Sequence, residues 1–156
     1  MTRRPLLGLF VLVAAVALVA AGCGSKKKGP YQSSKADYVA ALNSICATGN
    51  AKQKAITITS LKDLATKGPQ EVALFNAEIA QVKALGTPPD EIKAKVDDAL
   101  AEAAKLPPLY AKLIADAKAN DQAAAQKVGT QIDAINKATD PDFKAIGATS
   151  CLSTAS

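Results

Sequence analysis

Four consecutive residues near the start of the chain combine a nucleophile with small side chains: Ala20, Ala21, Gly22 and Cys23. A peptidase that cuts an extended backbone needs small side chains just before the cut. The thiol of Cys23 can take a diacylglyceryl group, and cleavage before it frees an amine for a further acyl chain. This spacing therefore predicts lipidation of Cys23 and removal of residues 1–22.

The segment before Cys23 has the properties needed to carry it across a membrane. Arg3 and Arg4 make a positive start, and residues 6–22 form an uncharged, mostly apolar run. Followed by small residues, these are the features of a secretory signal. Residues 20–23 resemble the bacterial lipobox, with Ala20 where Leu is usual.

An uncleaved transmembrane helix is the alternative interpretation of this run. Its 17 residues would span roughly 26 Å, short of a ~30 Å hydrocarbon core. The lysines at 26–28 would also oppose the orientation that Arg3 and Arg4 set. A cleaved lipoprotein avoids this conflict, and two acyl chains on Cys23 give stable anchoring.

Residues 23–33 are predicted to be a flexible tether, because they are polar and contain Gly and Pro. Two interpretations of Lys26, Lys27 and Lys28 stay open. They lie near anionic lipid headgroups, where each adds on the order of 1 kcal/mol of attraction, or they are a solubilising spacer.

Charge gives no case for a nucleic-acid partner. The chain has 19 basic and 14 acidic residues. Removing Arg3 and Arg4 leaves 17 basic residues, and setting aside the lysines at 26–28 leaves 14, which equals the acidic count. Binding to nucleic acid needs a concentrated basic face, whereas these charges are interspersed and indicate solvated helix faces.

Composition also restricts the chemistry. The chain has no His and no Trp, so His-based triads, His-ligated zinc and haem attachment through Cys-x-x-Cys-His are excluded. Asp97, Asp98 and Glu102 are a weak candidate cation site, with a solvated helix face as the favoured interpretation. Asp140 and Asp142 lack the ligand spacing of a calcium loop. No catalytic residue, metal site or cofactor is predicted.

The two cysteines that remain after Cys23 are predicted to form a disulfide. Cys46 and Cys151 are an even pair in a chain that carries an export signal, which is the count expected for one bond. The alternative is two buried free thiols.

Apolar residues recur at steps of three and four throughout residues 34–156, and no stretch alternates with the period of a strand. The sequence therefore predicts one all-α domain, a small antiparallel bundle of about four helices. Its abundant alanine indicates close packing and a thin core. Tyr38, Phe75 and Phe143 fall in apolar patterns and are predicted to lie in the core. Tyr110 follows Pro108, and an alternative to a core position is that its side chain lines a groove at the predicted kink.

Local signals predict where the helices begin and end. Ser34 should cap the first helix and Asp121 the last, whereas Gly86 should end the second. The second helix should begin at Pro69, because residues 67–69 contain Gly and Pro. A third helix should begin at Asp90 or Glu91 and break or kink at residues 106–108, and Pro141 should end the last helix.

The pattern at residues 36–46 (ADYVAALNSIC), a Pro-Pro break after a helix at 85–89 and a lone Cys151 resemble a group of small lipoproteins. These are exported proteins of high-GC Gram-positive bacteria. The resemblance implies a lipid anchor, a helical domain and a paired cysteine. It implies no activity.

These features predict a lipid-anchored protein on the extracytoplasmic face of the cell membrane, held by a diacylglyceryl group on Cys23. The function expected is non-catalytic binding of an envelope protein, a cell-wall component or a small apolar ligand. The alternative is an envelope enzyme or accessory factor that uses Asp and Glu alone. Such an enzyme needs acids that converge in a cleft, with at least one raised pKa.

Overall fold

The computed structural model describes residues 34–153. The predicted signal peptide, the lipidation site at Cys23 with its flank at 20–22, and the tether lie outside the described residues. The described part contains five α-helices and one short 3-10 helix and has no strand. The elements are α1 (Lys35–Lys54), α2 (Leu61–Ala84), α3 (Asp90–Ala103), α4 (Leu106–Lys118), α5 (Gln122–Ile146) and the 3-10 helix Thr149–Cys151.

Short polar side chains fix the starts of three helices. The Ser34 hydroxyl accepts a hydrogen bond from the Asp37 amide at 3.1 Å, and Asp121 accepts one from the Ala124 amide at 3.0 Å. Each satisfies an amide that has no partner inside the helix. Ser60 caps α2 in the same way, accepting from the Asp63 amide at 3.1 Å. The caps at Ser34 and Asp121 are confirmed.

Two prolines lie inside helices, where helix ends were predicted. α2 begins at Leu61 and continues through Pro69, and α5 continues through Pro141. The prediction that α2 begins at Pro69 is wrong. The helix already begins at Leu61, where the Ser60 hydroxyl caps it by accepting from the Asp63 amide. The prediction that Pro141 ends α5 is wrong too. Both prolines are exposed, and tertiary packing on the other helix face outweighs their local cost.

Residues with positive φ end the helices where the chain turns. Gly86 has a φ of 85° after α2, as predicted, and Gly147 has a φ of 89° after α5. Asn120 takes a φ of 56° between α4 and α5. Glycine and asparagine adopt this left-handed conformation at little cost.

The five helices make four rods. α3 and α4 follow each other with a break at residues 104–105. The break was predicted at residues 106–108, but these residues form the first turn of α4, where proline is tolerated, so the break falls just before them. Both helices pack on α5. α3 lies near the end of α5, where Lys95 pairs with Asp142. α4 lies nearer the start of α5, where Leu106 packs with Val128 and Ile132. α2 packs against α1 and α4. The predicted antiparallel all-α bundle is therefore confirmed, with the third rod interrupted at residues 104–105.

The core consists of two hydrophobic clusters rather than one. The larger joins α1, the end of α2, α3 and the end of α5, and the smaller joins α4 with the middle of α5. Tyr38 is 1% exposed in the larger cluster, and Phe143 packs against it, while Phe75 packs against the smaller one. These three aromatic residues are core, as predicted.

The predicted disulfide is present. Cys46 and Cys151 are bonded with a Cα–Cα distance of 5.1 Å, which joins positions 105 residues apart. The bond fixes the 3-10 helix at the chain's end onto α1. Within residues 34–153, none of the helices has both the length and the hydropathy needed to cross a bilayer.

Candidate functional site

A cavity of about 180 Å³ lies where the two hydrophobic clusters meet. All five helices and the segment after α5 contribute to its walls, including residues of both clusters such as Val82 and Leu106. The α3–α4 break falls beside it, since Ala103 and Leu106 from either side of the break are lining residues. Tyr110 lines this cavity beside the break, and it also packs against the smaller hydrophobic cluster.

Glu78 supplies the only charge among the described residues that line the cavity. It lies on α2 between Phe75 and Val82, which are three and four residues away on the same helix face. Its carboxylate lies against α1 at Gly49, where an added Cβ would overlap Oε2 of Glu78. Glycine at position 49 therefore makes the space that the carboxylate occupies.

The Glu78 carboxylate is half-buried and unpaired. It forms no hydrogen bond or ion pair with any residue in the described range. Burial raises its pKa to about 7 from an ordinary value of 4.5, because loss of water disfavours the ionised form. Burial also raises the pKa of Glu71, two turns earlier on α2. At neutral pH, Glu78 is therefore present in both its protonated and its ionised form.

Aromatic and amide side chains line the same cavity as this carboxylate. The rings of Phe75 and Tyr110 lie with centroids 5.8 Å apart, tilted by 51°. The pKa of Tyr110 is raised, first by burial and then by the negative charges of Glu71, Asp133 and Glu78, while a hydrogen bond with the Asn136 side chain acts the other way. The Asn50 and Gln53 side chains of α1 complete the polar part of the wall.

The disulfide and the segment after α5 form another wall of the cavity. Cys46 and Cys151 both line it. Two asparagines of α1 hold the segment in place: Asn43 accepts from the Ser150 amide at 2.9 Å, and Asn50 donates to the Ser150 carbonyl at 2.8 Å. Asp140 accepts from the Ser153 amide at 2.7 Å. The cavity is thus closed on this side by a segment fixed through both covalent and hydrogen bonds.

The acids considered from the sequence do not form a site. Asp97 pairs with Lys93, and Glu102 pairs with Lys105. Asp142 pairs with Lys95 at 3.2 Å, whereas Asp140 binds Ser153. Within residues 34–153, no three His, Cys, Asp or Glu side chains are grouped so as to hold a metal ion.

Glu78 was not among the candidates from the sequence, although the sequence contains a signal for it. Phe75, Glu78 and Val82 recur at steps of three and four, so the buried face of α2 includes a carboxylate. Gly49 lies similarly in register with Leu42 and Cys46 on α1. A charged residue among apolar residues on one helix face was therefore the sequence signal that indicated the cavity.

Comparisons of the chain with family models, with curated proteins and with solved structures find no match. Function is therefore inferred from the residues and the geometry of this chain.

Proposed function

We infer that this protein is a membrane-anchored lipoprotein of the cell envelope whose helical bundle is a non-catalytic binding module. The observation that carries the binding role is the cavity between the two clusters, which contains an unpaired carboxylate beside two aromatic rings. Concave sites with a few convergent polar groups in a largely apolar wall are typical of small-molecule binding.

The anchoring role rests on the residues around Cys23. A positive start, an apolar run and small residues before a cysteine support processing and lipidation at that position. The Cys46–Cys151 bond supports export, because disulfides persist in oxidising compartments. Residues 23–33 would link the lipid to the bundle, which begins with its cap at Ser34.

A Cys23→Ser variant tests the anchor. A hydroxyl cannot replace the thiol as lipid acceptor, so we expect the variant to stay unprocessed and to lose labelling by radioactive palmitate. A Cys46→Ala/Cys151→Ala variant is the control, since it removes the other two cysteines and should still be labelled. Equal labelling and membrane retention of the Cys23→Ser variant and the parent would refute the anchor.

The alternative function is an envelope enzyme that relies on carboxylates, and Glu78 is the observation in its favour. A carboxylate with a pKa near 7 suits general base catalysis. The described lining residues offer no second carboxylate to act as its acid partner. Turnover of any envelope substrate, with a pH profile centred near 7 and lost in Glu78→Gln, would favour this alternative over simple binding.

A further inference from the structure

We propose that the cavity binds a small organic cation, an alkyl-substituted ammonium, whose charge pairs with the Glu78 carboxylate and whose apolar part packs against Phe75 and Tyr110. This deepens the binding role inferred above and rests on it. It names the ligand class for the same cavity.

The unpaired carboxylate sets the sign of the ligand's charge. A carboxylate that is partly removed from water and has no partner is destabilised in its ionised form, and a bound cation would offset that cost. No other charged residue is found among the described lining residues, so nothing there competes for Glu78 or attracts an anion. A fatty acid or a phosphate would meet like charge in the cavity.

The aromatic residues favour an organic cation. Ammonium groups are attracted to the faces of aromatic rings within about 6 Å. Phe75 lies one turn from Glu78 on the same face of α2, and Tyr110 is close enough to Glu78 for the two to interact electrostatically. Leu106 and Val96 give the ligand's carbon atoms an apolar wall.

Size and ligand number argue against other cations. A cavity of about 180 Å³ is close to the ~150 Å³ that accommodates benzene in another protein, which limits the ligand to a few heavy atoms. Ca²⁺ takes roughly 6–8 oxygen ligands, and the described lining residues contain a single carboxylate.

Binding should depend on pH, because the cation requires the ionised form of Glu78. Gly49 of α1 lies against its carboxylate, and the other described residues that line the cavity are uncharged near neutral pH, among them Asn50 and Gln53 of α1, Tyr110 of α4 and Asn136 of α5. Glu71 and Asp133 interact with Tyr110 and are the nearest other acids identified. With a Glu78 pKa of about 7, affinity should fall at least tenfold between pH 8 and pH 5.5.

Nuclear magnetic resonance titration of the full-length protein, purified in detergent micelles, tests this. The probes are n-butylammonium, n-butanol and butyrate, which have similar size and different charge. A primary ammonium has a pKa of about 10.4, as in lysine, and stays charged between pH 5.5 and pH 8. We expect n-butylammonium to shift the signals of Gly49, Gln53 and Asn136 saturably, with a Kd on the order of 1 mM. We expect weaker shifts with n-butanol and none with butyrate.

Two variants and a control complete the experiment. Glu78→Gln keeps the shape and removes the charge, so affinity for n-butylammonium should fall at least tenfold. Gly49→Ala places a methyl group where the carboxylate lies and should weaken binding as well. Glu91→Gln, on the exposed side of α3, should bind as the parent does.

The outcomes separate this proposal from the binding role. Equal binding of n-butanol and n-butylammonium, or unchanged affinity in Glu78→Gln, overturns the cation proposal and leaves a cavity that binds neutral molecules. If none of the probes shifts the cavity signals, the cation proposal fails and the binding role loses its support here, while the Cys23 anchor stands on its own test.

Discussion

Glu78 and Gly49 show how two residues on adjacent helices create the chemistry of the cavity. The absent Cβ at position 49 leaves space, and the carboxylate occupies it without a hydrogen-bonding partner among the described residues. The sequence contains a signal that Glu78 faces inward, since it lies in register with Phe75 and Val82, although Glu78 was not predicted to be a site residue. It could not predict the missing partner, because that depends on which residues of α1, α4 and α5 come to the same place.

The raised pKa of Glu78 makes the stability of the bundle depend on pH. In the folded state the Glu78 carboxyl keeps its proton up to about pH 7, whereas the ordinary pKa of a glutamate side chain is 4.5. The folded state therefore binds more protons between these values, and stability should fall as pH rises through that window. The contribution is on the order of 1–2 kcal/mol, because solvent screens a half-buried carboxylate.

Urea unfolding of the parent and of Glu78→Gln at pH 4.5 to 8.5 measures this effect. The variant should be more stable than the parent at pH 8 and should lose most of that advantage at pH 4.5. Asp63 does not confuse the result, because its lowered pKa, held down by Lys67, Ser60 and Thr59, acts only at lower pH. A constant difference across the range would show that Glu78 is not desolvated in the folded protein.

Among the helices, α2 shows what local signals predict and where they fail. Ser60 and Asp63 repeat the spacing of Ser34 and Asp37, so the start of α2 was readable from the sequence. Gly68 and Pro69 suggested a helix end, yet the helix continues. Gly68 is buried because α4 crosses there: an added Cβ would lie 2.8 Å from Cγ1 of Ile114. That crossing is a tertiary contact, which no local pattern contains.

Replacing Gly68 with alanine should therefore destabilise the protein, even though alanine favours helices. The overlap with Ile114 costs about 1–3 kcal/mol, against a gain of up to about 1 kcal/mol in helix propensity. We expect a net loss of roughly 1 kcal/mol in the free energy of unfolding, measured by urea titration.

Gly129→Ala is the matched control, since a Cβ at position 129 of α5 has no atom within 4 Å. It should stabilise the protein by up to about 1 kcal/mol. An Ile114→Ala background should relieve the overlap and reduce the cost of Gly68→Ala. Equal stabilisation by both glycine substitutions would contradict the close approach of α2 to α4 at Gly68 and Ile114.

At the scale of the whole domain, residues 34–153 form a helical bundle with a small hydrophobic core, and one disulfide joins its first helix to the segment after its last. Among residues 34–153, five of the fifteen largely buried hydrophobic side chains are alanine or cysteine, so little apolar volume holds the helices together. The cysteine count and the predicted export signal were enough to predict the Cys46–Cys151 bond. The cavity was not predictable, because it depends on the break between α3 and α4 and on two hydrophobic clusters that stay separate.

Removing the disulfide should weaken the whole bundle. The bond joins positions 105 residues apart, and closing a loop of that length contributes roughly 2–5 kcal/mol by limiting the unfolded chain. Cys46→Ala/Cys151→Ala should lower the free energy of unfolding by this amount, as measured by urea titration. The parent with added reductant should approach the variant, and a loss below about 0.5 kcal/mol would show that the bond does not stabilise the fold.

We propose that a lipid on Cys23 holds this disulfide-bonded bundle at the membrane. Mass spectrometry of the intact protein from the membrane fraction tests it most directly. We predict a chain that begins at Cys23, carries a diacylglyceryl group and is two hydrogens lighter than its reduced form because of the Cys46–Cys151 bond. A chain that retains residues 1–22, or one in which Cys23 is unmodified, would contradict the claim.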